Sequence, residues 1–239
     1  MNKQEQNALS KNKSKIIAGM DEAGRGPAIG PIVFGLVLVT QRQEFELKNK
    51  GIKDSKTLTL KQRENYAQII KNISHKFATL QLSGSEIDKQ RSQGINLNRI
   101  EVNVFKKLLK PYTNEIDELQ LDAADVNEQR FGDNFQDIFK GKIISKHKGD
   151  SLFISVGAAS ILAKVERDHE IIRLQEKMNE FDSSLPSFGS GYPTDAKPFL
   201  KAYVSKYKQL PEISRKSWKT CSNILREELG PKQTSLDWE

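Results

Sequence analysis

Residues 15–40 read KIIAGMDEAGRGPAIGPIVFGLVLVT, and the folding of this stretch decides the architecture of the chain. Lys15 to Met20 and Pro31 to Thr40 are apolar on successive residues and have the length of strands. Apolar side chains on both faces call for a sheet covered on both sides. Between the two strands, Gly24, Gly26, Pro27 and Gly30 punctuate a turn. Asp21 and Glu22 end the first strand, where a buried charge is costly unless it is paired or holds a cation. Strand neighbours point to opposite faces. Both acids therefore serve one site only if the chain bends at Glu22, which Gly24 and Gly26 would allow.

Working outward, Leu60 to Ile73 and Asn98 to Leu109 have helical periodicity, and Phe77 to Leu82 reads as a third strand. Glu118 to Asp122 and Lys142 to Ser145 are short strands, separated by a helix around Asn127 to Phe139. Leu152 to Met178 is the strongest helix. It is apolar nearly all round at first, hence central, and amphipathic beyond Lys164. A Ser/Pro/Gly stretch, Asp182 to Pro193, precedes short helices over Lys197 to Tyr207 and Ser217 to Glu228. The expected fold is α/β, a mixed central sheet flanked by helices, with a small helical C-terminal region. The expected divisions are a disordered polar leader (1–14), a catalytic domain (15–195), a helical region (196–230) and a polar tail (231–239).

The 239 residues carry a net charge of +7, which favours a polyanionic partner, although solvated Lys-rich faces account for it equally well. Cys221, the only cysteine, excludes a disulfide framework and a Cys-based zinc site, and reads as a small buried apolar residue. His75, His147 and His169 are scattered, against a zinc site. The polar N-terminus has no apolar signal region, and Ile29 to Val39 is too short to span a bilayer. A cytoplasmic protein is expected. Asp122 ends a second strand and Asp150 precedes the most apolar helix. A helix cap and ion pairs with Lys or Arg would account for each acid singly. Acids at three element ends point instead to a hard divalent cation held by oxygen.

Met20 to Pro27, M-D-E-A-G-R-G-P, resembles the opening motif of ribonuclease HII, in particular its archaeal and eukaryotic catalytic-subunit branch. The resemblance continues through Asp54-Ser55-Lys56, Asp122-Ala123-Ala124-Asp125-Val126 and Lys146-His147-Lys148-Gly149-Asp150. Ala158 to Val165, Gly189-Ser190-Gly191-Tyr192-Pro193 and Arg215-Lys216-x-Trp218-Lys219 complete it, in family order. The ribonuclease HIII group is less similar: its glycine turn lacks the G-R-G-P form, and its substantial N-terminal domain has no room here. Lys148-Gly149-Asp150 is closer to bacterial members, and Gly157 stands where a Ser is expected.

The resemblance implies a ribonuclease H-like fold and a catalytic, metal-binding set of Asp21, Glu22, Asp122 and Asp150, with Asp125 at a non-catalytic position. It implies two Mg²⁺ or Mn²⁺ ions about 4 Å apart. The reaction would cut the RNA strand of RNA/DNA hybrids, and DNA on the 5′ side of embedded ribonucleotides, leaving 5′-phosphate and 3′-hydroxyl ends. Gly24, Arg25 and Gly26 would read the 2′-hydroxyl, and Tyr192 would pack on the sugar at the junction. Lys56, Lys164 and Arg167 would contact substrate phosphates or pair with carboxylates. Lys201 to Lys219, with six Lys/Arg against one acid, reads either as a basic lip for the duplex backbone or as a solvated helix face. His147 would have a structural role. In the tail, Gln233 and Leu236 have the spacing that opens a sliding-clamp-binding peptide, but the paired aromatics that should follow are absent, with only Trp238 nearby, and a frayed polar tail is the competing reading. The competing functions are a DNA endonuclease or junction resolvase of the same fold, and a non-catalytic nucleic-acid binder.

Overall fold

The computed structural model describes residues 14–52 and 58–230. The leader, Asp54-Ser55-Lys56 and the tail lie outside the described residues. Five strands form one mixed sheet in the order β3-β2-β1-β4-β5: β1 Ile16–Ala23, β2 Ile32–Thr40, β3 Lys76–Leu82, β4 Glu118–Asp122 and β5 Lys142–Lys146. Helices flank it, as the doubly apolar strands require: β2 is buried along its length up to Thr40. β4 runs parallel to β1, with Met20 beside Leu121, and β5 parallel to β4, with Asp122 beside Lys146.

The described residues contain nine α-helices: α1 Gln41–Asn49, α2 Leu60–Ile73, α3 Gly84–Ser92, α4 Leu97–Leu109, α5 Glu128–Asp133, α6 Gly149–Leu152, α7 Ile154–Phe181, α8 Pro193–Tyr207 and α9 Lys219–Leu229. Capping boxes start three of them: Thr40 with Gln43, Thr59 with Gln62, and Ser83 with Glu86. The structure corrects the sequence reading at three places. The helix expected over Asn127 to Phe139 stops at Asp133, where turns take over. The strongest helix is split, because Phe153 is extended between α6 and α7. α8 begins at Pro193 and not at Lys197, since proline at the first helical position lacks only an N–H that would have no partner there.

By contact density the chain forms two compact units, and β1, β2 and β3 each pass from one to the other. The first comprises the described parts of Met1–Asp21, Leu36–Ala78 and Lys106–Ile161. In it, Gly19 lets β1 meet the start of α7: a Cβ there would stand 2.2 Å from the Ser155 carbonyl carbon. The second comprises the described parts of Glu22–Gly35, Thr79–Phe105 and Leu162–Glu239. Its core joins the later turns of α7 (Ile171, Leu174, Met178) to Phe199, Leu200 and Val204 of α8 and Cys221, Ile224 and Leu225 of α9. Burial pushes the Cys221 thiol up to about 12, as befits an inert core residue.

Candidate active site

In the first unit the ends of β1 and β4 carry two of the expected carboxylates on neighbouring strands, and the segment carrying a third is tied to the end of β4. Asp21 and Asp122 are the next residues after the Met20–Leu121 pair, on neighbouring parallel strands. In-register side chains on parallel neighbours share a face, with the strands about 4.8 Å apart. Asp21 is buried, and Asp122 half-buried. Asp122 Oδ1 accepts the Gly149 N–H at 2.8 Å, which ties the start of α6 to the end of β4. A Cβ on Gly149 would meet Leu121 O at 2.8 Å and Asp122 Cα at 3.0 Å, so only glycine lets the two backbones approach this closely. Lys148 takes the left-handed conformation (φ 58°) to make the turn, and Asp150 follows, buried at the second position of α6.

Gly157, the departure from the expected Ser, has a steric reason. A Cβ there would stand 2.8 Å from Asp150 O, so α7 needs a bare backbone where it crosses the carboxylate segment. Glu22 is the next residue of β1, half-buried, at the start of the second unit. The strand runs through it to Ala23, and the turn comes at Gly24 (φ 88°), two residues later than the bend expected at Glu22. Among the described residues, no three His, Cys, Asp or Glu side chains are already gathered as a metal-holding cluster. The donor set is nonetheless the one a hard cation takes: carboxylate oxygens presented from fixed backbone. Asp125 is engaged elsewhere, by Arg130 and by the Asn127 N–H, which holds its carboxyl below the usual range. His147 is tied to Asp125 O through Nε2 (2.8 Å) and donates its backbone N–H to Glu128, a structural role.

The glycine turn belongs to the second unit, and two buried arginines shape it. Arg215, fully buried, donates to Gly24 O (2.6 Å), Arg25 O (3.1 Å) and Gly30 O (2.9 Å). Burial and the like charge of Arg167 pull its pKa down to about 9, so it stays charged at neutral pH. Arg167, also buried, donates to Ser190 O at 2.9 Å and, over longer distances, to Ile29 O and Pro31 O. Both are struts for carbonyls that would otherwise lack partners. Arg167 is therefore not the expected phosphate contact. Nor is Lys201 to Lys219 a continuous basic lip: Arg215 is internal, Lys201 pairs with Glu227, and Lys206 with Asp182.

Tyr192 is set against this turn. The Ala28 and Ile29 N–H groups donate to Gly191 O (2.8 and 3.2 Å), joining the Gly191-Tyr192 loop to the chain just after Gly26. A Cβ on Gly26 would touch the Tyr192 ring at 3.3 Å, and the ring stays 46% exposed, available to a ligand. Arg25 is held by Glu101 (Nε to Oε1, 2.7 Å) and Asn98 (Nη2 to Oδ1, 2.6 Å). Burial raises the Glu101 pKa, against the pull of Arg25. Lys164 lies half-buried on α7. The roles of Arg215, Glu101 and Asn98 carry no signal of their own in the sequence. A buried arginine and a surface arginine look alike in sequence, though Arg215 stands in one of the quoted motif blocks.

The family model described as ribonuclease HII matches residues 18–221. The chain belongs to the ribonuclease HII family. Ribonuclease HII enzymes are metal-dependent hydrolases that cleave the RNA of RNA/DNA hybrids, and this chain is one of them. It is 42% identical over 221 residues to ribonuclease HII of Methanocella arvoryzae, covering 91% of this chain and 95% of that one. Among solved structures, ribonuclease H2 from Pyrococcus horikoshii superposes with a TM-score of 0.81 at 34% identity, over 90% of this chain and all of that one. Ribonuclease HII of Archaeoglobus fulgidus, solved as a complex with PCNA, gives a TM-score of 0.76 at 33% identity, over 87% of this chain and 96% of that one. The ribonuclease H-like fold is thus shown, and none of the described residues forms a helix long and apolar enough to cross a membrane.

Proposed function

We propose that this ribonuclease HII incises DNA on the 5′ side of an embedded ribonucleotide, as well as the RNA strand of longer hybrids, leaving 5′-phosphate and 3′-hydroxyl ends. The observation that carries this reading is the exposed Tyr192 ring against Gly26, on a turn whose carbonyls Arg215 fixes. A bare glycine turn lets a 2′-hydroxyl come up to the backbone, and the adjoining ring packs on the following deoxyribose. Asp21, Glu22, Asp122 and Asp150 would hold two Mg²⁺ or Mn²⁺ ions, which when bound supply the Lewis acidity that phosphodiester hydrolysis needs. The protein's own part is to orient the strand: Gly24 to Gly26 select the sugar, and Tyr192 aligns the linkage beside it. His147 is committed to Asp125 and Glu128, so no histidine base is invoked.

The test is Tyr192→Ala, assayed on a single embedded ribonucleotide and on an all-RNA strand paired to DNA. Removing the ring should cost about 1–3 kcal/mol of junction cleavage and less on the all-RNA strand. Equal losses on both substrates would make Tyr192 a structural loop residue. We propose further that the C-terminal tail, on the spacing of Gln233 and Leu236, engages a sliding clamp, the competing reading being a frayed polar tail; the Archaeoglobus fulgidus relative was solved with PCNA. A pull-down comparing the full chain with one ending at Gly230 checks this, and equal retention would end the idea.

A further inference from the structure

Two clefts of the second unit differ in character. The larger, about 820 Å³, is lined by Glu86, Asp88, Glu170 and Glu212 against three basic residues, which does not suit a polyanion. The smaller, about 360 Å³, is lined by Arg25, Gly26, Arg91, Leu97, Ser217, Trp218 and Lys219, with no acid in its wall. It begins at Gly26, on the glycine turn itself.

Its floor is rigidly built. Asp88, buried on α3, accepts the Lys216 N–H (2.7 Å), the Ser217 N–H (2.9 Å) and the Ser217 hydroxyl (2.5 Å), and so fixes the loop that carries Trp218. One helical turn on, α3 presents Arg91, whose guanidinium lies 5.7 Å from the Trp218 ring centroid; that of Arg215 lies 5.0 Å away. An aromatic face orients a guanidinium without using its N–H donors. Among the described residues neither Arg91 nor Lys219 has a carboxylate partner, whereas Arg25 is held by Glu101. A preoriented guanidinium, an ammonium and an indole in one acid-free cleft suit a single chemistry, the sugar-phosphate backbone of a nucleic-acid strand.

We propose that Arg91, Trp218 and Lys219 form a subsite for a backbone phosphate of the bound duplex, outside the scissile junction. This rests on the nucleic-acid substrate of the proposed function. Arg91 and Lys219 are exposed, so their loss leaves the fold intact. The subsite reads no base, so its contribution is the same for every sequence and falls with salt.

The experiment measures KM, kcat and hybrid binding for the wild type, Arg91→Ala, Lys219→Ala, the double variant and Arg91→Lys, across 50–200 mM salt. Each lost phosphate contact should weaken binding about eightfold at 0.1 M salt, from a log–log slope of about 0.9 per contact. The double variant should raise KM, leave kcat at saturating substrate unchanged and flatten the salt slope by about 1–2, while Arg91→Lys keeps the wild-type slope. Single methylphosphonate linkages, walked along the cut strand and then along its complement, identify the source of the phosphate. At one position on one strand the neutral linkage should abolish the difference between wild type and double variant. Variants that match the wild type in KM and slope would overturn the subsite, as would a difference that survives every neutral linkage. A wild type that neither binds nor cuts hybrids would instead overturn the proposed function.

Discussion

Gly24→Ala tests how the glycine turn is built, because its cost divides into two parts. Gly24 has φ 88°, a conformation in which an L side chain costs about 1–2 kcal/mol. The new methyl carbon would also stand 2.1 Å from Arg167 Nε and 2.4 Å from Arg167 Cδ. No small adjustment relieves that overlap, so the buried Arg167 side chain must leave its place. Its bond to Ser190 O (2.9 Å) is then lost, and stranding that carbonyl adds about 1–3 kcal/mol. The expected total is about 2–5 kcal/mol, measured by urea unfolding, with cleavage falling in parallel. Gly94→Ala is the control: Gly94 also has positive φ (77°), but a Cβ there meets nothing within 4 Å, so only the backbone part should appear. If Gly24→Ala costs no more than Gly94→Ala, Arg167 does not brace the turn and the reasoning fails.

Three further outcomes follow from the same structure. Asp122→Asn keeps the acceptor for the Gly149 N–H, so the fold should persist in circular dichroism while cleavage falls by orders of magnitude; near-wild-type cleavage would remove Asp122 from the catalytic set. Cys221, buried with its thiol pushed up to about 12, should resist Ellman's reagent at pH 8 in the native protein and react only on unfolding, which labelling with and without urea checks. Asp182 is held well below the ordinary carboxylate range by Lys206, Ser184 and Tyr207. Its folded pKa is depressed, so the stability lost in Asp182→Asn should be constant above about pH 5 and shrink as pH falls below about 4; a difference that grows toward low pH would contradict the assignment.

Where burial and period agree, the fold was legible. Leu60–Ile73 and Glu118–Asp122 have the bounds their periodicity and apolarity indicate, and the doubly apolar strands lie in a covered sheet. α1 and α3 went unread because their hydrophobic stripes are weak, although Thr40-x-x-Gln43 and Ser83-x-x-Glu86 are legible starts. The four expected carboxylates stood out because charges at the ends of apolar elements are improbable; Asp21 and Asp122 lie at the ends of neighbouring strands, and Asp150 follows the glycine whose N–H Asp122 accepts. The supports of the site were not legible. Arg215 and Arg167 resemble surface cations until their carbonyl partners are seen, and Asp88 resembles any helical acid until it accepts the Ser217 N–H. Their roles depend on contacts between residues 23 to 185 positions apart, which no local pattern encodes.

Metal-dependent incision beside a ribonucleotide is tested by cleavage of a DNA duplex carrying one ribonucleotide, with the cut mapped at nucleotide resolution in the presence and absence of Mg²⁺. A single incision is expected on the 5′ side of the ribonucleotide, dependent on the divalent ion, with the ribonucleotide left at the 5′ end of the downstream fragment. Equal cutting of an all-DNA duplex, cleavage on the 3′ side, or undiminished cleavage in chelator would contradict it.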